Sequence, residues 1–140
     1  MTSLFSYTPG VLPTLPLYLQ PVRAGFPSPA DDFLDNKLDL NDFLIQHPAA
    51  TFFLRVSSNS MRNAGIYMGD VLIVDRSLEP ADNAIVVVAL DGELLIKRIK
   101  HEKNGIQLLS DNPHFETITI TEEQQFQVWG VVTSVIHKTT

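Results

Sequence analysis

"IVVVALDGELLIKRI", residues 85–99, decides the fold. Two apolar runs rich in β-branched residues flank Asp91-Gly92, a dipeptide suited to the positive φ angles of a two-residue hairpin turn. That loop sets the register: Leu90 faces Glu93, Val88 faces Leu95 and Val86 faces Lys97. Side chains alternate across a strand, so Lys97 shares a face with Val86, Val88, Leu95 and Ile99, while Arg98 and Lys100 point the other way.

The same pattern spreads outward. "ATFFLRV" (50–56), "DVLIVDR" (70–76), "GIQLL" (105–109), "ETITI" (116–120) and "FQVWGVVTSVI" (126–136) read as strands between clusters of Asn, Gly, Asp and Pro. A second hairpin is expected at Asn104-Gly105, and the run from Val128 to His137 is read as an exposed sheet edge or interface. Upstream, "DDFLDNKLDLNDFLIQHP" (31–48) spaces Phe33, Leu34, Leu38, Leu40, Phe43 and Leu44 by threes and fours, which predicts short helical turns ending before Pro48. The expected class is mainly β with short helices.

Composition narrows the function. A chain of 140 residues, 44% hydrophobic and 19% charged, makes one domain with a usable core plus a short arm. Ten Lys and Arg against 16 acids give a net charge of −6, so direct DNA binding has no source of phosphate neutralisation. The absence of cysteine excludes disulfides, thiolate catalysis and cysteine–zinc sites. His47, His101, His114 and His137 lack metal-ligand spacing and read as surface or loop residues, so neither metal nor cofactor is expected. In the apolar stretch from Gly10 to Val22 no Lys or Arg precedes Arg23, and Pro13 and Pro16 interrupt any helix, which argues against a signal peptide. An extended, weakly held arm on a soluble cytoplasmic protein is the expectation, with no membrane attachment.

Two readings of Lys97 follow from the hairpin. On a sheet edge it snorkels its amine to water; enclosed by aliphatics it loses hydration, its pKa falls, and it becomes a base near neutral pH. A neutral amine needs a hydroxyl, and "RVSSNSMRNAGIYMGDVLIVD" (55–75) supplies Ser57, Ser58 and Ser60 where a strand breaks into an irregular connection. Those serines serve either the turn backbone or chemistry. A triad of Ser60, Asp111 and His114 is the competing arrangement, but "SDNPHF" (110–115) reads first as a turn.

"SNSM" (58–61), then "GIYMGDVLIVD" (65–75), then residues 85–99 together resemble the serine-lysine site of the LexA and UmuD self-cleaving proteins, over about residues 22 to 136. The resemblance implies a catalytic domain of coiled, highly twisted β-sheets behind an extended N-terminal arm. It makes Ser60, expected as a surface hydroxyl, the nucleophile and Lys97 the general base. It matches Gly69-Asp70 to the family's G-D-x-L segment, and the backbone N–H groups of Asn59 and Ser60 are the candidate oxyanion donors. Ser58 is a departure, since many members carry glycine there and a side chain would crowd the bend.

Family members cut themselves at an Ala-Gly or Cys-Gly bond ahead of the catalytic domain. In "PVRAGFPSP" (21–29), Ala24-Gly25 stands at that place. Small residues admit the backbone to a confined cleft, and Pro21, Pro27 and Pro29 keep the segment out of regular structure. Without Ser60 and Lys97 the same composition would read as a hinge. The organisation expected is an arm (1–24) removed by self-cleavage, a linker with short helical turns (25–48) and a β-rich peptidase domain (49–140).

With 24 residues before the bond and no helix-turn-helix pattern, the resemblance is to UmuD-type proteins, including the MucA and RumA kinds, rather than to LexA-like repressors. It implies cleavage in the SOS response promoted by a RecA filament on single-stranded DNA. The trimmed homodimer would then be the accessory subunit of an error-prone Y-family translesion polymerase with a UmuC-like catalytic subunit, touching DNA only through partners. The alternative is a dimeric regulator of the same fold that does not cleave.

Overall fold

The structure is a computed structural model that describes residues 4–6, 15–18 and 34–140. In chain order the strands are β1 (Leu4–Ser6), β2 (Leu15–Tyr18), β3 (Leu34–Leu38), β4 (Thr51–Arg55), β5 (Val71–Asp75), β6 (Ile85–Leu90), β7 (Glu93–Glu102), β8 (Gly105–Leu109), β9 (Ile118–Thr119) and β10 (Phe126–Ile136). Eight of them form one antiparallel sheet in the order β1-β4-β5-β10-β6-β7-β8-β9. The mainly β expectation is met.

The deciding hairpin forms in the register read from sequence. Asp91 and Gly92 have φ of 48° and 86°, as a two-residue turn of this hand requires, and Leu90 pairs with Glu93, Val88 with Leu95 and Val86 with Lys97. Alternation along β6 feeds two cores. Val87 packs with Leu54, Val56, Met61, Ile66, Leu72, Val74 and Ile96. Val86, Val88 and Leu90 pack on the opposite face with Ile99 and Leu108. Lys97 is in register with Val86 on that second face.

The second hairpin differs by one residue. Glu102 pairs with Gly105, so the loop is Lys103-Asn104, and Gly105, at φ 134°, opens β8 instead of closing the turn. From there the register runs to Arg98 opposite Leu109.

β10 is not the exposed sheet edge that residues 128–137 are read to offer. It is an interior strand, paired with β5 on one side and β6 on the other. Its register shifts between Val128 and Gly130 against β6 and between Val132 and Ser134 against β5, irregularities of the kind that bend a strand and increase its twist. Gly130 is required by close approach: a Cβ there would stand 2.5 Å from Val74 Cγ1 and 3.2 Å from Arg76 Cγ. Arg76 is itself fixed, since its guanidinium lies 4.4 Å from the Trp129 ring centroid and its Nε donates to the Trp129 carbonyl at 2.8 Å. Gly130→Ala should therefore lower unfolding stability by about 1–3 kcal/mol through overpacking, read from urea midpoints.

The chain divides into two compact units, residues 8–46 and residues 1–7 with 47–140. In the smaller unit β2 and β3 pair antiparallel, and the helix α1 spans Leu40–Leu44. Of the helical turns expected over residues 33–44, those among the described residues are thus confined to α1, and Leu34–Leu38 is strand. Spacings of three and four over so few residues do not distinguish a helix from a strand that has a pairing partner. Asp39 marks the switch, its carboxylate accepting the Asn41 N–H at 3.0 Å as N-cap. Among the described residues no helix is long and apolar enough to cross a membrane.

Candidate active site

The connection from β4 to β5 is closed at its base by two backbone bonds. Val56 N–H donates to the Asp70 carbonyl and Gly69 N–H to the Val56 carbonyl, both at 2.8 Å. Gly69 has φ 93°, a conformation that suits glycine at the return into β5. The buried Asp70 carboxylate accepts the Tyr67 N–H at 2.9 Å and bonds His137 Nδ1 at 2.6 Å. Within the loop Met61 and Ile66 are buried in the core with Leu54, Val56 and Ile96. The methionine of "SNSM" is the anchor, and it holds the preceding serine against β7.

Ser60 is 3% exposed, so it is not the surface hydroxyl expected from sequence. Its Oγ donates to the Ile96 carbonyl at 3.3 Å and lies 3.2 Å from Ser58 Oγ, the residue that departs from the family pattern. The Asn59 carbonyl accepts the Arg62 N–H at 3.2 Å and Asn112 Nδ2 at 2.8 Å. The N–H groups of Asn59 and Ser60 find no acceptor among the described residues.

Lys97 follows Ile96 in the middle of β7 and carries its side chain on the opposite face of the strand. Pairing of β7 with β8 stops at Arg98 and Leu109, so Ile96 and Lys97 lie just past the paired stretch. Lys97 is 6% exposed, its Nζ donates to Ser110 Oγ at 2.7 Å, and the Phe115 ring centroid lies 5.3 Å away. Burial pushes the amine pKa below the ordinary lysine value. Of the two readings of this lysine, the enclosed one holds. Among the described residues Ser60 bonds to Ile96 and Lys97 to Ser110, so the two candidates are not hydrogen-bonded to each other in this state.

The competing triad does not assemble. Asp111 forms a two-pronged pair with Arg98, Nη2 to Oδ2 at 2.5 Å and Nε to Oδ1 at 3.1 Å, and that guanidinium holds its carboxyl below the usual range. His114 is exposed, its N–H bonded to Asn112 Oδ1. His47, half-exposed, bonds the buried Asp75 at 2.6 Å. Burial alone would raise the Asp75 pKa, but hydrogen bonds from Ser77 and His47 outweigh it and lower it. Among the described residues no group of three or more His, Asp or Glu is placed to hold a metal ion. Ala24 and Gly25 lie outside the described residues.

Sequence reasoning missed Ser110. Its signal was present in the second hairpin: one step past Leu109 it stands opposite Lys97, whereas a turn at Asn104-Gly105 would have set Asn112 there. The bonds of His47 and His137 to Asp75 and Asp70 carried no local signal, since their partners are 28 and 67 residues away.

A hydroxyl and a desolvated amine are the two groups that a serine peptidase with a lysine base requires. Residues 16–133 match the family described as Peptidase S24-like. Protein ImpA of Salmonella typhimurium is 44% identical over 125 residues, 89% of this chain and 84% of its own. Protein SamA of Salmonella typhimurium strain LT2 is 43% identical, covering 90% of this chain and 87% of its own, and Protein MucA of Escherichia coli is 40% identical, covering 86% and 82%. The chain belongs to the S24 peptidase family, as a member of the UmuD/MucA type.

Proposed function

We propose that this chain is a self-processing serine peptidase that cuts its own Ala24–Gly25 bond. The observation that carries the reading is Lys97: a buried amine held against Ser110 and Phe115, with its pKa lowered by burial, next in the chain to Ile96, whose carbonyl holds Ser60. Ser60 exchanges its bond to the Ile96 carbonyl for one to Lys97, whose neutral amine takes the hydroxyl proton as Oγ attacks the Ala24 carbonyl carbon. The N–H groups of Asn59 and Ser60, without an acceptor among the described residues, are suited to the oxyanion that develops. Collapse of the tetrahedral intermediate breaks the bond to Gly25 nitrogen, which takes the proton back from Lys97 and leaves residues 1–24 as an ester on Ser60. Water, deprotonated by Lys97, then hydrolyses that ester.

Beyond the chemistry, the resemblance to UmuD-type proteins supports an SOS role. A RecA filament on single-stranded DNA favours the cleavage-competent state, and the trimmed homodimer serves a UmuC-like Y-family polymerase. A net charge of −6 fits action through protein partners rather than on DNA directly. The second reading, a non-cleaving dimeric regulator, rests on Ser58, whose hydroxyl lies within hydrogen-bond reach of Ser60.

Mass spectrometry of the purified chain held at alkaline pH decides between them: release of residues 1–24 is expected, and an intact mass after prolonged incubation would favour the regulator. Gly25→Val should block release without lowering the stability of the sheet, because a β-branched side chain restricts the backbone at the bond. Normal processing of that variant would refute the confined-cleft argument.

A further inference from the structure

We infer that Ser110 is a positioning residue for Lys97, holding the amine just past the end of the β7–β8 pairing through the bond between Nζ and Ser110 Oγ. The inference rests on the serine-lysine reading above and adds a residue to it. Lysine carries four rotatable side-chain bonds, so burial alone does not fix where its nitrogen stands. The aliphatic stem is packed by register with Val86 on β6, but only a polar contact sets the head group.

Ser110 is placed to supply that contact by the backbone. β8 ends at Leu109 opposite Arg98, and the next residue falls opposite Lys97. The chain beyond is pinned on both sides of the serine. Asp111 is held by Arg98 through its carboxylate, by Asn63 N–H at its carbonyl at 2.8 Å, and its own N–H points to Met61 Sδ at 3.4 Å. Met61 follows Ser60, so one short segment joins the lysine's holder to the anchor of the candidate nucleophile. The groups facing the amine are Val86 from β6, Ser110 after β8 and Phe115 from the next loop, and the flanking charges Arg98 and Asp111 neutralise each other.

A hydroxyl accepting from Nζ favours the charged amine, while fixing its position favours the reaction once it is neutral. Removing it has two opposite effects. In Ser110→Ala the Lys97 titration midpoint should fall by about one pH unit, and the alkaline plateau of the cleavage rate should fall about tenfold or more. At neutral pH the two offset, so a single-pH assay is a poor test.

The midpoint is measured without cleavage, by following the ¹³Cε signal of Lys97 in a Ser60→Ala background, with Lys97→Arg identifying the resonance. Ser110→Thr and Ser110→Val, equal in shape, separate the hydroxyl from the packing. The expected result is a midpoint and plateau near wild type for threonine, and both lowered for valine and alanine. An unchanged midpoint in the alanine and valine variants overturns the inference, as does a threonine variant no better than valine. If Lys97→Arg, or the double variant Ser58→Ala, Ser60→Ala, still releases residues 1–24, the serine-lysine reading fails instead, and the ¹³C titration still reports whether Ser110 holds Lys97.

Discussion

Ser60→Ala should abolish release of residues 1–24, because it removes the only atom proposed to bond the Ala24 carbonyl carbon. Loss of a serine nucleophile costs on the order of a million-fold in kcat in well-studied serine peptidases, far below detection for a single-turnover self-cleavage. The stability change should be small but not zero. Ser60 is buried and donates to the Ile96 carbonyl, so alanine leaves that acceptor without its partner, a cost of about 1–2 kcal/mol. Ser58 gives this test a sharper edge: its hydroxyl is 3.2 Å from that of Ser60, and residual cleavage in the alanine variant would identify Ser58 as the attacking residue. The double variant Ser58→Ala, Ser60→Ala would then be silent.

The second large effect is on pH. If Lys97 must be neutral to accept the Ser60 proton, the self-cleavage rate without any activator should rise about tenfold per pH unit and level off at the lysine's pKa. That plateau lies below the usual lysine value of about 10.4, because burial disfavours the ammonium. Lys97→Arg should be inactive throughout, since a guanidinium does not deprotonate in this range. A rate that is flat from pH 7 to about pH 10, or an active arginine variant, would remove the amine base and reopen a histidine one. An activating filament would act on the same quantity by favouring a state that dehydrates Lys97 further and raises its neutral fraction at pH 7.

The sequence was most legible where the chain doubles back on itself at once. Asp91-Gly92 fixed a register that carried Lys97 onto the face of Val86 with no knowledge of the remaining sheet. Legibility declined with each step away from such a turn. At the second hairpin a one-residue choice between Lys103-Asn104 and Asn104-Gly105 decided whether Ser110 or Asn112 would face the lysine, and glycine's freedom at positive φ fits either position. For β10 the composition was clear and the place was not, because an apolar strand reads the same at an edge as between two neighbours. Burial of Ser60 was hidden for a related reason: it depends on Met61 reaching a core assembled from β4, β5, β6 and β7, strands far apart in the chain.

The interior position of β10 has a temporal consequence. In the sheet order, β4 and β5, which bracket the Ser60 loop, stand on one side of β10, and β6 through β9, which carry Lys97 and lead to Ser110, stand on the other. The strand that joins these halves follows both of them in the chain. Until residues 126–136 have been synthesised, the half that carries Ser60 and the half that carries Lys97 have no sheet in common. On the proposed self-cleavage reading, synthesis of β10 would set the earliest moment at which Ser60 and Lys97 share one sheet, so translation itself would delay the first cut.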